Sequence, residues 1–177
     1  TIAGCGYGAK TNTSENKTDG FTNESKINAD KILKNGIKEF AIDYGLGPSR
    51  VQFQNKDFKG WNLFNEMLNN HDPLGSANTL LGVQSKRPNL YKLESEISKI
   101  NVPTLIVNGD EDDMCLEVGL FLKRKISKSG LAIIPKTGHT INLEEPALFN
   151  QCIANFYLSI ENNAWGKRDK RAKVITN

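Results

Sequence analysis

Histidine and cysteine are scarce in this chain of 177 residues, which holds two histidines and three cysteines. The cysteines, Cys5, Cys115 and Cys152, lie far apart, form no CxxC motif and are odd in number. This spacing excludes a disulfide framework. Reduced thiols are therefore expected, as in a cytoplasmic protein.

Long hydrophobic runs are missing as well. No apolar stretch approaches the roughly 18 residues that a membrane span needs, so a membrane protein is not expected. The chain starts at Thr1 instead of at a Met, directly on a short apolar strand, TIAG. A truncated sequence is therefore expected, which leaves the presence of an N-terminal targeting segment open.

Positive charge is in slight excess, with a formal net charge of +3 and a sequence pI near 8.7. Five of the 23 Lys and Arg residues fall in GKRDKRAKV, residues 166–174. A nucleic-acid-binding protein usually has a denser and better interleaved basic face, so no nucleic-acid partner is expected. Residues 164–177 are predicted to be a flexible basic tail, with contact to an acidic partner as the alternative.

The first hundred residues are poor in strand patterns. Residues 1–10 are interpreted as a core strand and a loop, and the polar stretch 11–25 as a loop without periodicity. Apolar residues then recur at helical spacing, which predicts a loop-rich helical region over residues 20–100. The predicted helices of this region cover residues 25–44, 61–68, 76–84 and 90–100.

The pattern changes at Pro103. PTLIVNG is a continuous apolar run between Pro and Gly, which is typical of a strand buried on both faces of a parallel sheet. The helix pattern LEVGLFLKRKI follows, and then a second buried strand, LAIIP. A last helix is predicted with Glu144, Glu145 and Pro146 in its first turn, where acids suit the helix dipole and proline loses no needed N–H. Residues 101–163 therefore predict a βαβα unit, and the chain an α/β fold.

Chemically active side chains follow both predicted strands. The first strand runs into NGDEDD, residues 108–113, and the second into KTGHT with His139. Because ligands bind beyond the carboxyl ends of parallel strands, both loops are expected at one functional edge of the sheet. An Asp beside a His holds the imidazole in one tautomer and makes it a general base. The candidate acids are Asp110, Glu111, Asp112 and Asp113.

These segments resemble the C-terminal part of the α/β-hydrolase-fold superfamily. The resemblance rests on VPTLIVNGDEDD followed by GLAIIPKTGHTINLEEPALFNQCIANFY, and it is strong over residues 100–160. Members typically have an apolar strand ending in G-x-x-D, a final strand ending in G-H, and NLEEP at the start of the last helix. The resemblance implies that Asp112 is the acid and His139 the base of a catalytic triad, with Asp110 as the fallback acid. It also implies that the helical region 20–100 is a cap, or lid.

The family's nucleophile does not occur in this sequence. No G-x-S-x-G elbow is present, and the nearest stretch, GCGYG at residues 4–8, has Gly6 at its centre. The elbow is therefore expected upstream of Thr1. The implied function is hydrolysis of small esters by a serine esterase or similar acyl hydrolase, without cofactor or metal. An Asp nucleophile would instead indicate a dehalogenase or epoxide hydrolase, and a non-catalytic ligand- or protein-binding module is the third alternative.

A small-molecule substrate is the expected partner. Three strands of a sheet that normally has eight would leave an apolar edge unpaired. Residues 1–177 expressed alone are therefore expected to be insoluble or to dimerise through that edge.

Other motifs are interpreted as structural. DEDD, residues 110–113, offers the carboxylates that Mg²⁺ and Ca²⁺ prefer, but it lacks the spacing and the Gly of a calcium loop. Cys115 is interpreted as a buried small residue, since the surrounding acids disfavour a nucleophilic thiolate. His71 is assigned to a loop or helix end of the lid. GCGYG lacks the GxGxxG spacing and the following helix of a dinucleotide-binding loop.

Overall fold

The computed structural model describes residues 2–3 and 17–172, with side chains from Thr22 onward. The GCGYG stretch, Cys5 and residues 173–177 lie outside the described residues. Between residues 17 and 172, none of the helices is both long and apolar enough to span a membrane.

Three parallel strands form the sheet of the described chain, in the order β1 (Ile2–Ala3), β2 (Thr104–Gly109), β3 (Ser129–Ile134). The prediction of a parallel α/β fold is confirmed. Every residue of β2 is buried, as its unbroken apolar run predicts. β3 pairs with β2 alone among the described residues, and its Ile133 is 46% exposed. The prediction that this second strand is fully buried is therefore wrong, because the strand lies at an edge.

The region between β1 and β2 is helical, as predicted, but its boundaries differ. α1 occupies Lys17–Asn35, so the prediction of a loop as far as residue 25 is wrong. Gly36, with a φ of +82°, separates α1 from α2 (Ile37–Gly45), where the pattern predicted one continuous helix. The remaining helices are α3 (Val51–Lys56), α4 (Phe58–Asn69), α5 (Pro73–Gly82) and α6 (Glu94–Ile97), with 3₁₀ turns at Pro48–Arg50, Gln84–Lys86 and Leu90–Leu93.

The helical region has a core of its own where α1 packs against α5. Ala29 and Ile32 of α1 and Ala77 of α5 are fully buried in this contact. The contact explains why the polar residues before Ala29 are helical, since packing of one face stabilises a helix whose intrinsic propensity is weak.

The C-terminal part follows the predicted alternation of strands and helices. α7 (Asp113–Lys125) connects β2 to β3, and α8 (Ile141–Glu144) and α9 (Pro146–Glu161) follow β3. The predicted last helix is thus two helices. Glu144 ends α8 and does not lie in the first turn of α9, whose first residue is Pro146.

Helices cover both faces of the sheet. Side chains alternate along β2, so that Ile106 packs with α7 on one face while Leu105 and Val107 pack with α9 on the other. Val118 of α7 and Phe156 of α9 are buried in these two layers. The sheet is therefore held between two apolar layers, and the loops beyond Gly109 and Ile134 emerge together at its edge.

Trp165 extends the packing beyond α9. Its ring lies edge-on to Phe156 with 4.8 Å between centroids, and its indole N–H donates to the carbonyl of Lys128 at 2.8 Å. The start of the predicted basic tail is thus attached to the core. A flexible tail over residues 164–177 stays a prediction.

Candidate active site

Asp112 and His139 meet at the carboxyl edge of the sheet. Asp112 lies three residues beyond the end of β2, directly before α7, and His139 lies five residues beyond the end of β3. Asp112 Oδ2 and His139 Nδ1 are 2.8 Å apart, a hydrogen-bonding distance. The two residues that the sequence predicts as acid and base are therefore in direct contact.

The surroundings of Asp112 favour its ionised form. Burial of the carboxyl opposes ionisation, since only 8% of the residue is exposed. Hydrogen bonds from His139 and Cys115, with the positive charges of His139 and Arg50, outweigh burial and hold the pKa of Asp112 below its ordinary value. The His139 side chain is 27% exposed, so the ring joins a buried carboxylate to an accessible surface.

Glu144 holds the loop that carries His139. Its carboxylate accepts hydrogen bonds from the backbone N–H of Gly138 at 2.6 Å and of Thr140 at 2.8 Å, and from the Thr140 hydroxyl at 2.8 Å. Glu144 is buried, with 5% of its surface exposed. The carboxylate therefore satisfies three donors on the two residues that flank His139 and fixes the turn from within.

The loop after β2 is tied to the same turn. Asp110 Oδ1 accepts from the Thr137 N–H at 3.1 Å, and the Glu111 N–H donates to the Thr137 carbonyl at 3.0 Å. Asp110 thus joins the acid loop to the base loop, while Asp112 contacts the imidazole. Asp113 is exposed in the first turn of α7.

Cys115 is a member of this site that sequence reasoning assigned to packing alone. It is 1% exposed, and its Sγ lies 3.8 Å from His139 Nδ1. The Cys115 thiol also donates a hydrogen bond to the Asp112 carboxylate. The available signal was its position one helical turn beyond Asp112, which places both side chains on one face at the start of α7.

The same three side chains form the one group of possible metal ligands found among the described residues. One ligand atom each from Asp112, Cys115 and His139 lies within 4.8 Å of the others. A hard-cation site made by the DEDD carboxylates, which the sequence pattern disfavours, is not what the fold assembles, because Asp110 and Glu111 form hydrogen bonds with Thr137 and Gln52. The atoms that converge are one oxygen, one sulfur and one nitrogen.

Helix α3 contacts both loops of the site. Gln52 donates to the Glu111 carboxylate, and the Lys56 ammonium lies 2.5 Å from Glu145 and 3.3 Å from the Thr137 hydroxyl. These contacts have no signal in the sequence, because α3 falls between the predicted helices, where the pattern predicts none. His71 is exposed in the turn after α4, consistent with its assignment to a helix end.

Arg50 lies in the helical region, directly before α3. It is 5% exposed, its guanidinium lies 4.6 Å from the centre of the Tyr44 ring, and it donates to the Tyr44 hydroxyl at 2.5 Å. Its charge reaches Asp112 and favours the ionised carboxylate. The helical region thus contributes positive potential to the site through Arg50.

Known proteins resemble this chain in sequence and in fold. No family model matches the sequence. Over 135 residues the chain is 30% identical to a "putative 2-succinyl-6-hydroxy-2,4-cyclohexadiene-1-carboxylate synthase" of Bacillus subtilis. This match covers 75% of the chain and 47% of the relative.

Solved structures share the fold at lower identity. MenH from S. aureus superposes with a TM-score of 0.77 at 22% identity, over 85% of this chain and 56% of that chain. A thermophilic esterase from Thermogutta terrifontis, in a malate-bound structure, superposes with a TM-score of 0.66 at 21% identity. The match covers 80% of this chain and 51% of that chain. The chain thus spans about half the length of the proteins it matches. Together with the βαβα unit, these similarities show that the chain has the fold of the C-terminal part of an α/β hydrolase.

Proposed function

We propose that this chain supplies the acid and the base of an α/β-hydrolase-type enzyme that hydrolyses small esters. The observation that carries the proposal is the 2.8 Å contact between Asp112 Oδ2 and His139 Nδ1 at the carboxyl ends of two adjacent parallel strands. The likeness in fold to a solved esterase supports the same reaction class.

In the proposed reaction His139 moves a proton between three groups. Its Nε2 takes the proton of the nucleophile as that nucleophile attacks the ester carbonyl, and the proton then passes to the departing alcohol. The same imidazole deprotonates the water that hydrolyses the acyl intermediate. Asp112, bonded to Nδ1, keeps the ring in the required tautomer and stabilises the imidazolium. General acid–base catalysis of this kind contributes about 10²–10⁴-fold to the rate.

The proposed reaction needs a nucleophile that precedes the acid and the base in chain order. Within the 177 residues no G-x-S-x-G motif occurs. The cap helices α1–α6 would shape the substrate pocket, and α3 would set its position over the two loops.

The test measures hydrolysis of a panel of short aryl esters by the full-length protein that contains this chain. His139→Ala and Asp112→Asn should each lower kcat/KM by about 10²-fold or more. The matched control is Asp113→Asn, the neighbouring acid, which is exposed and should leave the rate unchanged. If His139→Ala hydrolyses every ester of the panel as fast as the parent protein, His139 is structural and the proposed role of the Asp112–His139 pair is wrong.

A second candidate function is the synthase reaction for which the Bacillus subtilis relative is named. The observation that favours it is the 30% identity to that relative over three quarters of this chain. The Asp112–His139 pair would serve that reaction as a positioned general base. Formation of 2-succinyl-6-hydroxy-2,4-cyclohexadiene-1-carboxylate by a protein that hydrolyses none of the esters would replace the first candidate by the second.

A further inference from the structure

The site contains a buried thiol that the proposed hydrolysis does not use. Cys115 Sγ lies 3.8 Å from His139 Nδ1, Asp112 Oδ2 lies 2.8 Å from the same nitrogen, and the three ligand atoms fall within 4.8 Å of one another. From this convergence we propose that Asp112, Cys115 and His139 bind a thiophilic divalent cation such as Zn²⁺, and that the bound ion switches off the base.

The donor set suits zinc better than the cations considered from the sequence. Zn²⁺ binds thiolate, imidazole and carboxylate, and sites with three protein ligands leave a fourth position to water. Mg²⁺ and Ca²⁺ require oxygen ligands, of which this group offers one carboxylate. The thiol therefore decides which metal the site takes.

Two of the three distances between ligand atoms are close to those that a tetrahedral ion needs, and the third, between sulfur and carboxylate oxygen, lies within 4.8 Å. Zinc bond lengths of about 2.0–2.3 Å place neighbouring ligand atoms roughly 3.4–3.6 Å apart. The sulfur–nitrogen distance of 3.8 Å needs little change, whereas the oxygen and nitrogen, 2.8 Å apart, must separate by about half an ångström. The ion would replace the proton now shared between Asp112 and His139.

The fold holds these ligands ready. Asp112 and Cys115 lie one turn apart at the start of α7, and Glu144 fixes the residues on both sides of His139. Such supporting hydrogen bonds keep metal ligands oriented. Two of the three ligands, Asp112 and Cys115, are buried.

Coordination has a defined chemical balance. The Cys115 thiol releases its proton to solvent and its sulfur binds the ion as a thiolate. The ion occupies Nδ1 of His139, so the ring proton resides on Nε2. A proton on Nε2 prevents that atom from accepting one from a nucleophile, so zinc and catalysis exclude each other. This inhibitory part rests on the proposed function, whereas metal binding itself does not.

The first experiment measures binding without reference to activity. Equilibrium dialysis of the full-length protein against Zn²⁺ should find one ion per chain, and Co²⁺ in its place should give the near-ultraviolet charge-transfer absorption of a cobalt thiolate. Cys115→Ser should weaken Zn²⁺ binding at least tenfold and abolish that absorption. The matched control, Cys5→Ser/Cys152→Ser, leaves Cys115 the one cysteine of this chain and should behave like the parent.

Two results of the cobalt and zinc measurements overturn the proposal, and a third comes from a comparison with Mg²⁺. One is parent protein with no cobalt–thiolate absorption, a result that does not depend on how any variant folds. The other is unchanged Zn²⁺ affinity in Cys115→Ser. The site should also select against Mg²⁺, so equal retention of Mg²⁺ and Zn²⁺ in dialysis contradicts it as well.

Ester hydrolysis then separates this inference from the proposed function. In an active protein, Zn²⁺ should inhibit the parent, a chelator should restore the rate, and Cys115→Ser should need at least tenfold more Zn²⁺ for the same inhibition. A protein that hydrolyses no ester but shows the Cys115-dependent cobalt spectrum would refute the proposed function and keep the metal site. Full activity without Cys115-dependent metal binding would do the reverse.

Discussion

Gly109, the last residue of β2, lies with its α-carbon against the backbone carbonyl of Thr137 in the loop that carries His139. A methyl group on Gly109 would overlap the carbonyl oxygens of both Thr137 and Gly138. Backbone atoms cannot yield as a flexible side chain can, so the two loops of the candidate site approach this closely because residue 109 has no side chain.

Gly109→Ala should therefore destabilise the protein by about 3 kcal/mol, in the upper range for overpacking. Urea unfolding followed by tryptophan fluorescence measures the free energy of unfolding. Gly82→Ala is the matched control, because a methyl group there meets open space at the end of α5. That change should be neutral or stabilising by up to about 1 kcal/mol. Equal midpoints for the two variants would show that the loops have room to separate.

Glu144→Ala should lower the free energy of unfolding by about 3 kcal/mol. Removing the carboxylate leaves the N–H groups of Gly138 and Thr140 without their acceptor, at a cost of about 1–3 kcal/mol for each buried group. The adjacent Glu145→Ala removes one half-exposed ion pair with Lys56 and should cost less than about 1 kcal/mol. If Glu145→Ala lowers the free energy of unfolding more than Glu144→Ala does, the contact with Lys56 and not the buried carboxylate holds the loop.

Trp165→Ala should destabilise the protein by about 3 kcal/mol, because the indole packs on Phe156 and bonds to the Lys128 carbonyl. Arg171→Ala provides the control, since the Arg171 side chain is 91% exposed and its loss should change stability by no more than about 0.5 kcal/mol. Thermal unfolding by circular dichroism compares the two. Equal midpoints of thermal unfolding for Trp165→Ala and the parent would mean that the core ends at α9.

Lys31→Met should raise the pKa of Glu39, as measured by carbon-13 NMR titration of its carboxyl. Hydrogen bonds from Lys31 and then from Asn35 hold that pKa below its ordinary value. A carboxyl with a depressed folded-state pKa stabilises the fold above its unfolded-state pKa of about 4.3, and the contribution is lost as pH falls through the folded-state pKa. Lys31→Met should weaken this acid dependence, whereas Lys34→Met, an exposed neighbour, should leave the Glu39 titration curve in place. A curve that moves equally in both variants would indicate general charge effects.

The C-terminal half could be predicted well because its signals are local. The apolar run that becomes β2, the Gly that ends it and the acids that follow it all lie within a few residues of one another. The contact between Asp112 and His139 followed from the rule that neighbouring parallel strands share a carboxyl edge. Family resemblance narrowed four acids to Asp112.

The remainder depended on contacts that no local pattern encodes. The polar start of α1 is helical because Ala29 and Ile32 pack on a helix more than forty residues away. From the sequence, Cys115 is an ordinary small core residue. Its place in the site depends on the contact with His139, which is distant in sequence. Glu144 stands in a stretch that is typical of a helix start, but its carboxylate accepts hydrogen bonds from the loop that carries His139.

Asp112 lies within one strand–helix–strand crossover, and His139 lies in the loop that directly follows it. The pair is complete within residues 104–144, a segment separate in sequence from the helical region that precedes β2. The helical region touches this segment through side chains, such as Gln52 and Lys56 of α3, and contributes none of its backbone. Sequence changes in the helical region outside such contacts can therefore accumulate without altering the backbone that holds Asp112 and His139 together.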